Sequence, residues 1–297
     1  MKRVQNSIKS SLSRKVFTVF NYAFCIMIAL LCLLPVVHIL ALSFSGKDAI
    51  YAGRVNFLPV DFTTTSYQYV MRNVQFFDSY RLTFVRVILG WAISLALTVT
   101  AAYPMAQRKK DFPLRPFFVA YYMGAMVFSG GMIPLYLVVK SLGLVNTIWA
   151  LLLPCAVSVS NIILMMNFIK GLPDALSESA SIDGAGHFRI LISIVLPLCL
   201  PSLATISLFI LLSHWNAWFD GMIYITNPRL KPLQTFLRSI MVDETLIAGD
   251  IDAIEANMTK DGVNSAMIFL AMIPVLIVYP FFQKYFAKGI VRGSVKE

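Results

Sequence analysis

Six separate stretches of this chain, near Val16 to Leu42, Leu82 to Ala106, Phe117 to Val139, Val145 to Ile169, Ile190 to Phe219 and Val263 to Phe282, are long and largely apolar. Each offers the roughly 20 residues that carry an α-helix across a hydrocarbon core of about 30 Å. Inside that core no water satisfies backbone N–H and C=O groups, so a continuous apolar run of this kind closes its own hydrogen bonds as a helix. Only 13% of residues are charged and 58% are hydrophobic, whereas soluble domains carry about a quarter charged residues. The expected fold class is an all-α membrane protein with six transmembrane helices.

Lysine and arginine in the loops set the expected orientation, because positive charge resists translocation. Lys2, Arg3, Lys9, Arg14 and Lys15 precede the first span; Arg108, Lys109, Lys110 and Arg115 follow the second; Lys170 and Arg189 follow the fourth; Lys284, Lys288, Arg292 and Lys296 follow the sixth. These alternate segments share one side, so both termini are expected to be cytoplasmic. The segment after Phe219 is instead acidic, with Asp220, Asp243, Glu244, Asp250, Asp252, Glu255 and Asp261. A net charge of +10 gathered beside span ends favours anionic membrane lipid as its partner and argues against nucleic acid. The first span is too long for a signal-peptide apolar region and is expected to remain as an anchor.

Cys25, Cys32, Cys155 and Cys199 all fall inside predicted spans, with no metal-ligand spacing, and read as small packing residues; Cys25 and Cys32 share a helix face. The expected organisation is a basic segment over 1–15, one six-span domain over 16–287, and a polar tail over 288–297. Ser129-Gly130-Gly131 and Pro134 weaken the third span, and this break is expected to face the bundle interior, because irregular backbone at membrane depth needs protein or water over it.

Between spans four and five lies Glu178-Ser179-Ala180, three residues, Gly184, nine residues, then Ile194-Val195-Leu196-Pro197. Leu172 to Asp183 predicts a short helix with Pro173 in its first turn, acids Asp174 and Glu178, and a stripe of Leu172, Ala175, Leu176, Ser179 and Ile182. Gly184 ends it, Gly186 loosens the turn, and a second helix leads from His187 into span five. The element is a low-profile lever over 172–197, suited to close approach by another protein.

That spacing resembles the EAA loop of the membrane subunits of ATP-binding-cassette importers, with Ser179 standing where the second alanine is usual. The likeness extends to Ala102-Tyr103-Pro104, Leu142-Gly143-Leu144 with Asn146-Thr147, Ile182-Asp183-Gly184-Ala185 and Trp215-Asn216, and points to the carbohydrate branch typified by the smaller maltose permease. Phe128-Ser129-Gly130-Gly131 with Pro134 is similar to a subgroup for complex oligosaccharides or polysaccharide fragments. The resemblance implies a type I ABC importer permease fold in a bacterial cytoplasmic membrane, with a cytoplasmic coupling helix. It further implies a homologous second permease, a pair of ATPase subunits that bind ATP and Mg, and an extracytoplasmic solute-binding protein. It assigns ATPase coupling to Glu178, Ser179, Ala180, Asp183, Gly184, Ile194, Leu196 and Pro197. Glu178 is expected to meet an arginine of the ATPase. The chain contains no Gly-x-x-x-x-Gly-Lys-Ser/Thr phosphate loop, so it is expected to be a transport subunit rather than an enzyme.

Sugars are held by hydrogen bonds to their hydroxyls and by stacking on aromatic faces. Asn216, Trp215, Ser213, Asn161 and Tyr122 are the candidates for a substrate path; an interfacial aromatic belt and helix-to-helix polar contacts are the alternative for the same residues. Arg86 is expected to snorkel to the headgroups. His38 and His214 lack an acidic partner within their spans and read as packed or hydrogen-bonded groups. The competing function is an ion-gradient-driven secondary transporter, which usually needs acids or His-acid relays at mid-membrane. An intramembrane enzyme needs a nucleophile with its base or a metal set, and no such motif is present.

Overall fold

The protein is described by a computed structural model covering residues 12–242 and 258–293, with side chains through Gln283. Lys2, Arg3, Lys9, Asp243, Glu244, Asp250, Asp252, Glu255 and Lys296, and the side chains of Lys284, Lys288 and Arg292, lie outside the described residues. Two compact units divide the chain: residues 1–72 with 245–270, and residues 73–244 with 271–297.

The first unit begins with α1 (Leu12–Ser43), followed by α2 (Lys47–Tyr51) and α3 (Thr65–Arg72). Most apolar side chains of α1 from Val16 to Val37 are exposed, as is Cys25 with Cys32. Among the described residues nothing covers this cysteine face, so it forms no packing seam there, contrary to the expected one. The end of α1 is instead fixed by polar contacts. Ser43 Oγ meets Tyr67 OH at 2.8 Å, Ser45 Oγ accepts the Val60 N–H at 3.1 Å, and the Phe44 ring lies 4.6 Å from Tyr67. His38 Nδ1 donates to the Asn56 carbonyl at 2.7 Å, as a hydrogen-bonded histidine should.

The second unit is organised on α4 (Val74–Ala106). Its start lies upstream of the expected Leu82 because Asn73 caps it, Oδ1 accepting the Phe76 N–H at 2.8 Å. At 1.5 Å per residue its 33 residues reach about 50 Å, more than a hydrocarbon core requires.

The next three expected spans are all broken. Span three divides into α5 (Arg115–Val127) and α6 (Met132–Ser141) with a bend of 112°. Its break is exposed, with Phe128 82% accessible, so it does not face this chain's interior as expected. Span four divides into α7 (Trp149–Leu152), extended by a 3-10 turn to Cys155, and α8 (Val159–Lys170), bent by 50°. After α9 (Asp174–Ile182) come α10 (His187–Ile190), a π-turn over Leu191–Val195 and α11 (Leu196–Leu198). Then α12 (Leu200–Asn216) leaves at 85°. The expected single span from Ile190 to Phe219 therefore fails at Cys199. Pro197 and Pro201 explain why: neither has an N–H for the carbonyl four residues back, and each ring crowds that carbonyl.

Among the described residues three further α-helices follow: α13 (Phe219–Tyr224), α14 (Leu233–Val242) and α15 (Lys260–Gly293). Among the described residues three helices and three bent pairs are each long and apolar enough to cross a membrane, giving up to six spans.

α4 packs along α8 and α12. Val99, Ala102, Tyr103 and Met105 of α4 meet Ile162, Met165 and Ile169 of α8, and Ile206 and Ile210 of α12, with Ile190, Val195 and the buried Cys199 closing the cluster. Between helices solvated by lipid such contacts act through close packing rather than exclusion of water. A tight approach occurs at Gly90, where an added Cβ would stand 2.5 Å from the His214 ring. The turn before α7 is locked by Asn146, whose Oδ1 accepts the N–H groups of Thr226 (2.7 Å) and Asn227 (3.1 Å).

Candidate functional site

The segment 172–198 forms a bent lever resting on the core. α9 starts two residues later than the expected Leu172, with Pro173 as its N-cap rather than in its first turn. Its end is closed by Gly184 at φ +78°, a left-handed conformation that glycine adopts without penalty. The Gly184 N–H bonds the Ser181 carbonyl at 3.1 Å and the Ala185 N–H bonds the Ala180 carbonyl at 2.9 Å, the paired closure of a Schellman motif. Ala180 and Ala185, at the two ends of that closure, pack on the core together with Leu172 and Leu196.

The other loop residues divide by exposure. Glu178, Ser179, Asp183, Gly184 and Pro197 are exposed, while Ile194 is half-buried in the π-turn. Ser179 folds its hydroxyl back onto the Ala175 carbonyl at 2.9 Å, so a serine there presents little more bulk than alanine. Of the expected stripe, Leu172 faces the core, but Ile182 is 87% exposed. On the second limb Phe188 is 73% exposed, an apolar contact point the sequence reading passed over. Ile182 and Phe188 thus present two exposed apolar side chains on either side of the glycine turn.

Glu178 already has a partner in its own chain. Arg108, in the turn after α4, donates from Nη1 to Glu178 Oε1 at 2.6 Å, lies 3.8 Å from Asp174 Oδ2, and donates from Nε to Asp111 Oδ2 at 3.1 Å. These bonds, Glu178 first and Asp111 next, raise the Arg108 pKa above its ordinary value. On the second limb His187 Nδ1 stands 3.5 Å from Tyr103 OH, at the outer limit of a hydrogen bond.

A cavity of about 410 Å³ opens between α4, α8 and α12, lined by Ser94, Ser158, Asn161, Phe209, Ser213 and His214 among others. Ser94 Oγ and His214 Nδ1 are buried there without a protein hydrogen-bond partner. Buried polar atoms are nearly always bonded, and these two are exceptions among the described residues. Asn161 and Ser213 of the five path candidates share this cavity. Trp215 instead lines a smaller apolar recess of about 70 Å³ and stacks edge-on against Tyr80 and Phe84. Asn216 ends α12 in an exposed position, and Tyr122 packs against the core.

Arg86 does not snorkel. It is fully buried, and its guanidinium grips Asp220 through both Nη atoms while Nη1 also approaches the Ala217 carbonyl at 3.4 Å. The reach across 134 residues left no local signal. Among the described residues no group of His, Cys, Asp and Glu is placed to hold a metal ion.

No protein-family model matches the chain. It is 37% identical over 287 residues to the polygalacturonan/rhamnogalacturonan transport system permease protein YtcP of Bacillus subtilis, covering 96% of this chain and all of that one. It is 39% identical to the protein LplC of the same organism, with 95% of each chain covered. A solved bacterial ABC transporter involved in the import of the acidic polysaccharide alginate contains a chain that superimposes with a TM-score of 0.87 at 33% identity, covering 93% of this chain and 99% of that one. The names of YtcP and of the alginate transporter are those of sugar-import systems, and nothing in the comparisons supports an ion-gradient mechanism.

Proposed function

This chain belongs to the family of sugar ABC-transport permeases, and from that premise we propose that, with a homologous second permease, it forms the membrane path for an oligosaccharide released from an acidic polysaccharide. The observation that carries this reading is the lever at 172–198, with Ile182, Phe188 and Glu178 exposed at its tip. The substrate class rests on two relatives above 30% identity, one named for polygalacturonan and rhamnogalacturonan, the other for alginate.

A separate ATPase subunit binds and hydrolyses ATP. Its cleft receives α9 and the glycine turn on the cytoplasmic side, where both termini also lie. A nucleotide shifts the conformational equilibrium of the spans only through its different affinity for the two cleft states. The lever's task is to carry that difference to α4, α8 and α12. The solute arrives from an extracytoplasmic binding protein and passes the cavity at Asn161 and Ser213, whose amide and hydroxyl both donate and accept hydrogen bonds to sugar hydroxyls.

Ile182→Cys, paired with cysteines scanned along the cleft of the co-expressed ATPase subunit, tests the reading in membranes. Crosslinks confined to one cleft position are expected. Labelling of the same cysteine by a membrane-impermeant thiol reagent added to intact cells would refute it.

A further inference from the structure

The contacts made by α4 at its loop-facing end point to a second route for force. Resting on the functional reading above, we propose that Arg108 and Tyr103 are positioning residues that tie the coupling lever directly to span two. The lever then drives α4 as well as the two helices to which it is covalently joined.

The argument begins with where the two contacts fall. Arg108 reaches the first limb of the lever, at Glu178 and Asp174. Tyr103 reaches the second limb at His187. The glycine turn lies between them, so rocking of the lever about Gly184 pulls on one contact or the other. Both residues sit at the end of the same helix or in the turn leaving it, and Arg115 Nε, bonded to the Met105 carbonyl at 2.9 Å, fastens the start of α5 to that end. From there α4 runs the length of the unit against α8 and α12, and at Arg86 it is bolted to Asp220.

Arg108 also carries more carboxylates than a lone ion pair requires. If the ATPase takes Glu178 for an arginine of its own, Asp174 on the same helix remains at 3.8 Å, while Asp111 holds Arg108 within its own turn at 3.1 Å. The tie to the lever then rests on Asp174. Exposed ion pairs add little to stability, so a role for this one is expected in coupling rather than folding.

The test uses the assembled transporter in proteoliposomes, with its binding protein and trigalacturonate as the probe, measuring uptake per ATP hydrolysed. Arg108→Ala is expected to lower that ratio at least about fivefold, the lower end of typical allosteric coupling, while the ATPase subunits still co-purify. Arg108→Lys should restore most of it. Combining Arg108→Ala with Tyr103→Phe should lower it further, with a non-additive remainder in the double-mutant cycle. An unchanged ratio in Arg108→Ala, or loss of the ATPase from the complex, would overturn the tie. Wild-type uptake that ignores ATP would overturn the functional reading and the coupling role together. An Arg108→Cys/Asp174→Cys pair, joined in membranes by a short bifunctional thiol reagent, reports the contact independently; failure to join would sink it.

Discussion

Arg86 and Asp220, 134 residues apart in sequence, form a bidentate ion pair that fastens α4 to the corner between α12 and α13. Arg86 is 1% exposed and Asp220 23% in their side chains. Removing one partner of a buried pair leaves the other charge uncompensated, which typically costs about 3–5 kcal/mol. Arg86→Met is expected near the lower end of that range because Asp220 keeps partial access to water. Asp220→Asn should fall higher, and the double variant should recover much of the loss. Thermal unfolding of the purified, detergent-solubilised protein measures all three; additive losses would mean that the pair does not couple.

Gly90 is the point where α4 yields to an imidazole. An added Cβ would stand 2.5 Å from His214, and overpacking of this kind typically costs about 1–3 kcal/mol. Gly90→Ala should therefore lower the unfolding temperature, and Gly90→Ala with His214→Ala should remove that penalty while introducing a void. Equal stability of Gly90→Ala and the parent would show that the ring moves aside freely.

The turn at Gly184 separates backbone conformation from bulk. Nothing lies within 4 Å of an added Cβ there, but φ is +78°, a conformation costing other L-residues about 1–2 kcal/mol. Gly184→Val should leave membrane insertion intact and reduce uptake per ATP. Gly184→Asn should do so less, since asparagine tolerates the left-handed region. Equal effects from the two would assign the defect to side-chain bulk against the ATPase.

Much of this lever was readable before any coordinates. Gly184, the small residues around it and the flanking apolar spans define a helix, a turn and a second helix through local chemistry alone. The bends were harder. Hydropathy sees Ile190 to Phe219 as one apolar run, because Pro197 and Pro201 interrupt hydrogen bonding without interrupting apolarity. Arg86 was misjudged for a related reason: a lone arginine near a span end reads as a snorkelling group until a partner distant in sequence is brought beside it. Asn161 and Ser213 stood out as polar residues in apolar helices and do share a cavity. Trp215 stood out equally, yet it packs among aromatics, and nothing in its neighbours in sequence distinguishes the two outcomes.

The cavity makes its own prediction. Asn161→Ala and Ser213→Ala each remove a hydrogen-bonding group from its lining, a loss typically worth about 0.5–1.5 kcal/mol. The concentration of trigalacturonate-loaded binding protein giving half-maximal uptake should rise roughly two- to tenfold with uptake per ATP preserved. No change in either variant would place the solute path elsewhere.

The central claim is that this chain is a gate moved by a nucleotide-driven partner. Its most direct measurement is trigalacturonate uptake into proteoliposomes holding both permeases and the ATPase pair, with the loaded binding protein outside and ATP either sealed inside or omitted, while ionophores collapse proton and sodium gradients. Uptake that requires ATP and persists through the ionophores is the predicted result. Uptake that proceeds without ATP and stops when the gradients are collapsed would contradict it.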